Sequence, residues 1–336
     1  MQVHFRQPGA RATMLAIGAA MVMAIAACGG GSSGNDTTDS AGGQSGQLAL
    51  RIAYNPNATN TTIVVADQQG FFKKNGLDVK LTATQNSAAL IPSIGKQFDL
   101  ITVTPPSLLQ AAAQGLKPIL VAAEDVENST DKRNSYVIGA KGVNSVADLK
   151  GKTIGVPSLS GNLYEGAVIL LDKAGLKKTD VKFLQVPFAD MAGGLKTGTI
   201  QAAVTIFPFN GQLLGQGGVD LGNPTDVSGN GGDALSAGWV ATADWANSNK
   251  ATIDAFNKAQ DEALEWMKAN DAAAKQILVK DFKLPDAVAQ KFPITQWVSF
   301  EPKPEYLESW IEPMKKVGDL PAGFTTPASE LVYQQS

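Results

Sequence analysis

From Leu48 onward the chain alternates short runs rich in Val, Ile and Leu with stretches whose apolar residues recur every three or four positions. Runs of the first kind fit strands and those of the second fit helices. Strands are predicted at 48–54, 77–84, 100–103, 119–123, 136–140, 153–156, 181–186, 202–206 and 238–242. Helices are predicted between them at 62–69, 88–94, 107–114, 163–174 and 191–196. This alternation predicts α/β layers built on mainly parallel strands. After Trp245 the strand pattern stops. Ile253, Phe256, Ala263, Leu264 and Met267 share helical spacing, Ile277, Leu278 and Phe282 repeat it, and Pro304 opens a segment with Leu307, Trp310, Ile311 and Met314. The aromatic residues of this last third read as core.

The pattern before Leu48 is different. Arg6 and Arg11 precede an apolar run over 14–27, shorter than the roughly 20 residues a membrane-spanning helix needs. Residues 1–27 read as a signal peptide. Ile25-Ala26-Ala27-Cys28 resembles the bacterial lipobox, in which a Cys after an aliphatic and two small residues becomes lipidated and N-terminal. Residues 29–47 are a Gly/Ser/Asp/Thr tract with no apolar side chain larger than Ala41. Residues 28–47 are therefore expected to be a flexible tether with a reach of about 25 Å, held by acyl chains that contribute about 0.8 kcal/mol per buried CH2. The expected location is the outer face of the bacterial cell membrane. In that setting the Asn-x-Thr triplets at Asn57, Asn60 and Asn128 read as turn and cap chemistry.

Composition narrows the chemistry. The 336 residues include one Cys and one His, at Cys28 and His4. Cleavage before Cys28 would leave 309 residues with no histidine. Ser-His-Asp and Cys-His catalysis, histidine-based zinc sites and structural disulfides are then excluded, while carboxylate, lysine and serine chemistry is not. Such a chain carries 26 basic and 31 acidic residues, which leaves no basic footprint for nucleic acid. At about 150 residues per domain its length suggests two domains.

Three segments carry a resemblance to a known family. Gly70-Phe71-Phe72-Lys73-Lys74-Asn75-Gly76-Leu77-Asp78-Val79 follows the first strand and helix. Asp148-Leu149-Lys150-Gly151-Lys152-Thr153-Ile154-Gly155-Val156 opens the second unit, and Leu195-Lys196-Thr197-Gly198-Thr199-Ile200-Gln201-Ala202 precedes a strand there. Together they resemble the substrate-binding proteins of ABC importers for nitrate, sulfonates, taurine and thiamine-precursor pyrimidines, over about residues 48–240. The resemblance implies a type 2 periplasmic-binding-protein fold of class α/β, with two lobes joined by two crossing strands and a helical C-terminal part. Lobe one would comprise 48–137 with 240–336 and lobe two 138–239, the chain crossing near 136–140 and 239–242. It also implies a protein that binds a small solute without cofactor or chemistry and serves an ABC permease, and a monomer is the simplest expectation for a tethered receptor. Gly70, Gly76 and Gly151 are read as scaffold turns, since a helix C-cap favours a glycine at positive φ.

Ligands of such folds lie beyond the carboxyl ends of the strands, where helix N-termini offer N–H groups. In lobe one that rule selects Asn57, Asn60 and Thr61 after the first strand, and Thr104 and Ser107 around Pro105-Pro106. In lobe two it selects Ser158, Ser160, Gly161 and Asn162, which resemble the family's anion loop, and Phe188. Asp190 reads as a helix cap. Many relatives carry Glu-Pro-Phe where this chain has Phe207-Pro208-Phe209, so a carboxylate is lost, which weakens the case for an amine-bearing ligand such as taurine and favours an aromatic or apolar ligand body against Phe207 or Phe209. Trp239 at the return crossing completes the set. Only Arg51 and Arg133 remain to clamp an anion.

Two other readings stay open. An enzyme of the same fold is one; its pyrimidine-forming relatives depend on a histidine, and a menaquinone-type dehydratase would work in the cytosol, against the lipobox. A non-transport surface lipoprotein is the other. Gly-rich 211–218 and 229–232 lack a P-loop Lys-Ser/Thr and read as surface loops.

Overall fold

Ile52 and Ala53 lie opposite Leu100 and Ile101 in parallel register, all four excluded from solvent, and this pairing is the centre of the first of two sheets. The computed structural model describes residues 47–84 and 86–334. The expected signal peptide, lipidated Cys28 and tether up to residue 46 lie outside the described residues.

In chain order the first half comprises β1 (Leu48–Tyr54), α1 (Thr61–Gln68), α2 (Phe71–Lys74), β2 (Leu77–Ala83), β3 (Leu100–Val103), α3 (Pro105–Ala113) and β4 (Pro118–Glu127). The second half holds β5 (Ser135–Gly139), β6 (Thr153–Val156), α4 (Asn162–Lys173), β7 (Lys182–Gln185), α5 (Phe188–Thr197), β8 (Ala202–Ile206), α6 (Phe209–Gly215) and β9 (Val219–Gly222). The chain then returns through β10 (Ala234–Thr242) and ends in α7 (Ala243–Ser248), α8 (Lys250–Ala269), α9 (Asp271–Lys280), α10 (Asp286–Ala289) and α11 (Glu305–Val317). The helical last third expected from spacing is thus present.

The two sheets share one plan. Their strand orders are β2-β1-β3-β10-β4 and β7-β6-β8-β5-β9. In each, three parallel strands meet an antiparallel one, β10 in the first and β5 in the second. On the first sheet, α1, α2, α8 and α9 bury one face around Phe72, Trp239 and Phe256. Helices α3 and α11 bury the other around Leu108, Leu307 and Trp310. On the second sheet, α4 covers one face with Ala167 and Leu171, and α5 and α6 cover the other with Met191 and Leu213.

Residues 128–134 and 223–233 join the sheets. The crossings expected near 136–140 and 239–242 are therefore placed one strand too late. Residues 135–139 already pair with β8 and β9 in the second sheet, and 234–242 pair with β3 and β4 in the first. The physical reason is β4, predicted to end at Ala123. It runs on through Glu124, Asp125 and Glu127, and all ten of its residues are buried. Tail residues 297–300 lie along it, with Val126 N donating to Trp297 O at 2.7 Å and Ala123 N to Phe300 O at 3.1 Å. Also not predicted were β9, the short helices α2, α7 and α10, and helix α6 in the segment read as a loop. Gly166 is required where α4 passes the return crossing, because a Cβ there would sit 1.7 Å from the Pro224 carbonyl oxygen.

Candidate functional site

The two halves lie within one compact unit and touch each other. Where they meet, both crossings are gathered by one carboxylate. Glu127 Oε2 accepts from the backbone N–H of Asn134 at 2.9 Å and of Ser135 at 2.8 Å, and from Asn223 Nδ2 at 3.4 Å. Its Oε1 accepts from Ser135 Oγ at 2.6 Å and Ser236 Oγ at 2.8 Å. A buried carboxylate this well supplied with donors is a structural clasp.

Two other acids on the same strand behave differently. Glu124, fully buried, accepts from Thr62 Oγ1 at 2.6 Å, Trp239 Nε1 at 2.5 Å and Gln260 Nε2 at 3.1 Å. Burial pushes its pKa up to about 7, against the pull of these three donors. Asp125 has a single side-chain partner, Asn134 Nδ2 at 3.4 Å, and its Oδ1 is buried without one. Burial first, then the charges of Glu127 and Glu124, hold its carboxyl well above the usual carboxylate range.

Glu124 and Asp125 form one wall of a cavity of about 10 Å³, with Ala58, Thr59, Phe292 and Trp297 among its other walls. That is room for about one water. Phe207 from the second half packs on two of those walls, its ring 5.4 Å from Phe292 and 5.9 Å from Trp297. Trp297 is held by donating its Nε1 hydrogen to Lys132 O at 2.7 Å. A larger depression of about 400 Å³ opens at the far end of β5, beside Lys141, Leu195, Lys196 and Gln216. Its lysines are exposed, and it contains none of the predicted site residues.

A second seam joins helices across the halves. Gln110 Nε2 of α3 donates to Glu165 Oε1 of α4 at 3.0 Å. Glu165 Oε2 and Asp319 Oδ2 are both buried and take no hydrogen bond from any donor. Asp319 pairs with Lys178 across the same seam, and Lys316 with Asp172 at 2.5 Å. Burial and the neighbouring Asp319 carboxyl push Glu165 up to about 8, opposed by Gln110 and Lys178. One proton shared between the two carboxyls would satisfy both.

The sequence-predicted residues fall into three groups. Asn57 caps the turn before α1, accepting from Thr59 N at 3.2 Å and Asn60 N at 3.3 Å. Asn60 Nδ2 donates back to Asn55 O and Asn57 Oδ1, and Thr61 Oγ1 to Ala58 O. These capping residues flank Ala58 and Thr59, which reach the cavity themselves. Thr104 and Ser107 share a hydroxyl hydrogen bond of 3.1 Å, and a Cβ at Gly161 would lie 3.5 Å from Thr104 Oγ1, so these loops of the two halves meet. Ser158 and Ser160 bond each other at 3.2 Å near the surface, and Asn162 opens α4.

The aromatic candidates divide as well. Phe188 and Phe209 stack on each other at 5.5 Å within the second half, whereas Phe207 reaches the first. Trp239 is fully buried among first-sheet core residues and packs on Phe256 at 5.4 Å. The structure therefore corrects its assignment as a contact: it sits behind the cavity and steadies Glu124. Asp190 makes no side-chain cap at α5. Glu124, Asp125, Phe292 and Trp297 were missed. Glu124-Asp125-Val126-Glu127, closing a buried apolar run, was the signal that could have pointed to the acids.

Among the described residues no group of His, Cys, Asp and Glu could hold a metal ion, and no helix is long and apolar enough to cross a membrane. The fold is that of the periplasmic binding proteins. The alkanesulfonate-binding protein of Xanthomonas axonopodis pv. citri, solved with MOPS bound, superposes with a TM-score of 0.67 at 18% identity, over 85% of this chain and 98% of that one. A Haemophilus influenzae protein named for thiamine biosynthesis is 31% identical over 166 residues, 48% of this chain and 50% of its own length. The chain thus matches about half the length of that relative. A Brucella abortus protein named as a binding protein is 26% identical over 71% of this chain and 73% of its own length. The model of the family described as NMT1/THI5 like matches residues 57–274, and with that match the chain belongs to this family.

Proposed function

We propose that the protein captures a small organic solute between its two halves and presents it to an ABC importer, without altering it. The observation that carries this reading is the meeting of Phe207 from one half with Phe292 and Trp297 from the other, beside a buried polar wall. A solute held there touches both halves, so its binding energy favours the closed form. The binding-protein fold and family support the same reading. The solute is a sulfonate, a carboxylate or an aromatic or heterocyclic compound, and Thr59, Thr104, Ser107, Gly161, Phe207 and Asp125 are the proposed contacts.

Lobe one in this proposal is 47–127 with 234–334 and lobe two is 135–222. Lipidation at Cys28 would place the receptor as a monomer on the outer face of the membrane, near its permease. The test is calorimetric titration with sulfonates, carboxylates, nitrate and pyrimidines, paired with small-angle scattering. A solute that binds with a dissociation constant below about 1 mM, roughly 4 kcal/mol, and compacts the protein is expected. No binding by any class, or turnover of the bound compound, would end the reading.

A further inference from the structure

The depression of about 400 Å³ at the far end of β5 has no part in the capture of a solute between the halves. Three pieces of the second half meet there: Ala140 and Lys141 after β5, Leu195 and Lys196 in the last turn of α5, and Leu213, Gln216 and Gly218 around the end of α6. Small-molecule sites span about 300–1,000 Å³ and combine an apolar lining with a few polar groups. Ala140, Leu195 and Leu213 supply the first, and Lys141 and Lys196 the second. No acid lines the depression.

Two helices end at this place, and carbonyl groups left open at a helix C-terminus repel an anion. Here they are taken. Gly193 O and Gly194 O accept from Thr197 Oγ1 at 3.0 and 3.3 Å, and Leu195 O from Gly198 N at 3.3 Å. On α6, Leu213 O accepts from Gly218 N at 3.1 Å and Leu214 O from Gly217 N at 3.0 Å. The free charges nearby have one sign. Ala140 N donates to Gln201 O and Gln201 N to Thr153 O, each at 2.8 Å, and Lys182 N to Lys152 O at 2.9 Å. Lys141, Lys152 and Lys182 therefore stand at the same end of the second sheet. With Lys150 and Lys196 they make no ion pair among the described residues. The acids at this end are spent on backbone: Asp148 accepts from Asn144 N and Ser145 N at 2.9 Å each, and Asp180 from Lys177 N at 2.8 Å. Unpaired ammonium groups gathered in this way attract an opposite charge, in a chain whose acidic residues outnumber its basic ones by 31 to 28.

We infer that this depression is a second binding site, for an anion that carries a compact apolar body. A phosphate or carboxylate head is held by Lys141 and Lys196, and the body lies against Leu195 and Leu213. Lysine suits such a head as a mobile point charge with three donors. The site is separate from the cleft. It shares no residue with the cavity walled by Phe292 and Trp297, and β8 runs its whole length from Ala202 at this end to Ile206, next to Phe207. The inference therefore stands whether or not the protein captures a solute between its halves. The head belongs either to a free anion or to a lipid, and the two sources are separated by experiment.

The test titrates hexyl phosphate into the full chain. It is expected to bind with a dissociation constant below about 1 mM. It should also shield Lys141 and Lys196 from acetic anhydride, but not the exposed Lys250 of the first half, as read by peptide mass spectrometry. Hexyltrimethylammonium should shield neither. Lys141→Glu combined with Lys196→Glu should weaken hexyl phosphate by about tenfold or more, with far-ultraviolet circular dichroism unchanged. Lys141→Arg combined with Lys196→Arg should retain it, because charge and not packing holds the head. Phosphatidylglycerol vesicles that shield the two lysines where hexyl phosphate does not would support the anion site and assign its source to a lipid headgroup. Equal binding of the cation, unchanged affinity in the Glu pair, an equal loss in the Arg pair, or no shielding by either phosphate or vesicles would overturn the inference.

Discussion

The two seams that join the halves are built in opposite ways. At the crossings, Glu127 satisfies both its oxygens with donors from residues 134, 135, 223 and 236. At the helices, Glu165 and Asp319 each leave an oxygen unpartnered. A saturated buried carboxylate has nothing to gain from another state, whereas an unsaturated one is relieved by water or a proton. On the proposed capture reading, the first seam would be a fixed axis and the second a contact made on closing and broken on opening.

The largest expected effect is on the axis. Glu127→Ala strands the Asn134 and Ser135 N–H groups, each costing about 1–3 kcal/mol, and should lower unfolding free energy by about 3 kcal/mol or more in urea titration. A loss under about 1 kcal/mol would mean that the crossings hold without it and would erase the contrast.

Next comes the pH response of the helix seam. The groups facing Glu165 are Asp319 after α11, Lys178 before β7, Tyr164 beside it and Gln110 on α3. Burial in this structure raises Glu165 from its ordinary 4.5 to about 8, and in the proposed open form the carboxyl would face water. Closing therefore takes up a proton between these values. Closure is fully favoured below the lower one and weakens, by up to about tenfold per pH unit, as pH rises through the upper. Solute affinity should fall accordingly from pH 5 to 8. Glu165→Gln should flatten that profile, and an unaltered slope in E165Q would detach the seam from closure.

Smaller effects sharpen the picture. Phe207→Leu gives up two aromatic contacts of about 0.5–1.5 kcal/mol each and should weaken solute binding about tenfold while leaving the urea midpoint nearly unchanged. Lys316→Ala removes an ion pair whose lysine is 67% exposed. It should cost the closed form about 0.2–1 kcal/mol, and less as salt is added.

These seams mark where the sequence could be read and where it could not. Strands such as 100–103 and 153–156 were legible because each is a short buried run with clear flanks. The helical tail was legible because Ile253, Phe256, Ala263 and Met267 keep one face. Thr104 and Gly161 were legible as loops at strand ends. Glu124 and Asp125 were not, because charge inside a strand reads as the strand's end. Phe292 and Trp297 belong to irregular backbone pinned by pairing 170 residues away along the chain, as Val126 with Trp297 shows. No local periodicity reports such a contact. Trp239 was misjudged for the converse reason: its place near a crossing suggested a ligand face, while the extra length of β10 carried it into the core.

The most direct test of the account is a distance between the halves. The described residues contain no cysteine, so Lys80→Cys and Lys196→Cys, with Cys28 replaced, can carry spin labels on exposed sites of the first and second half. Pulsed electron resonance should give a broad distribution in the free protein at pH 9. On adding a solute found to bind by calorimetry, or small-molecule fractions of cell extract, it should become shorter and narrower. One unchanging distance under every condition would contradict a protein that works by closing.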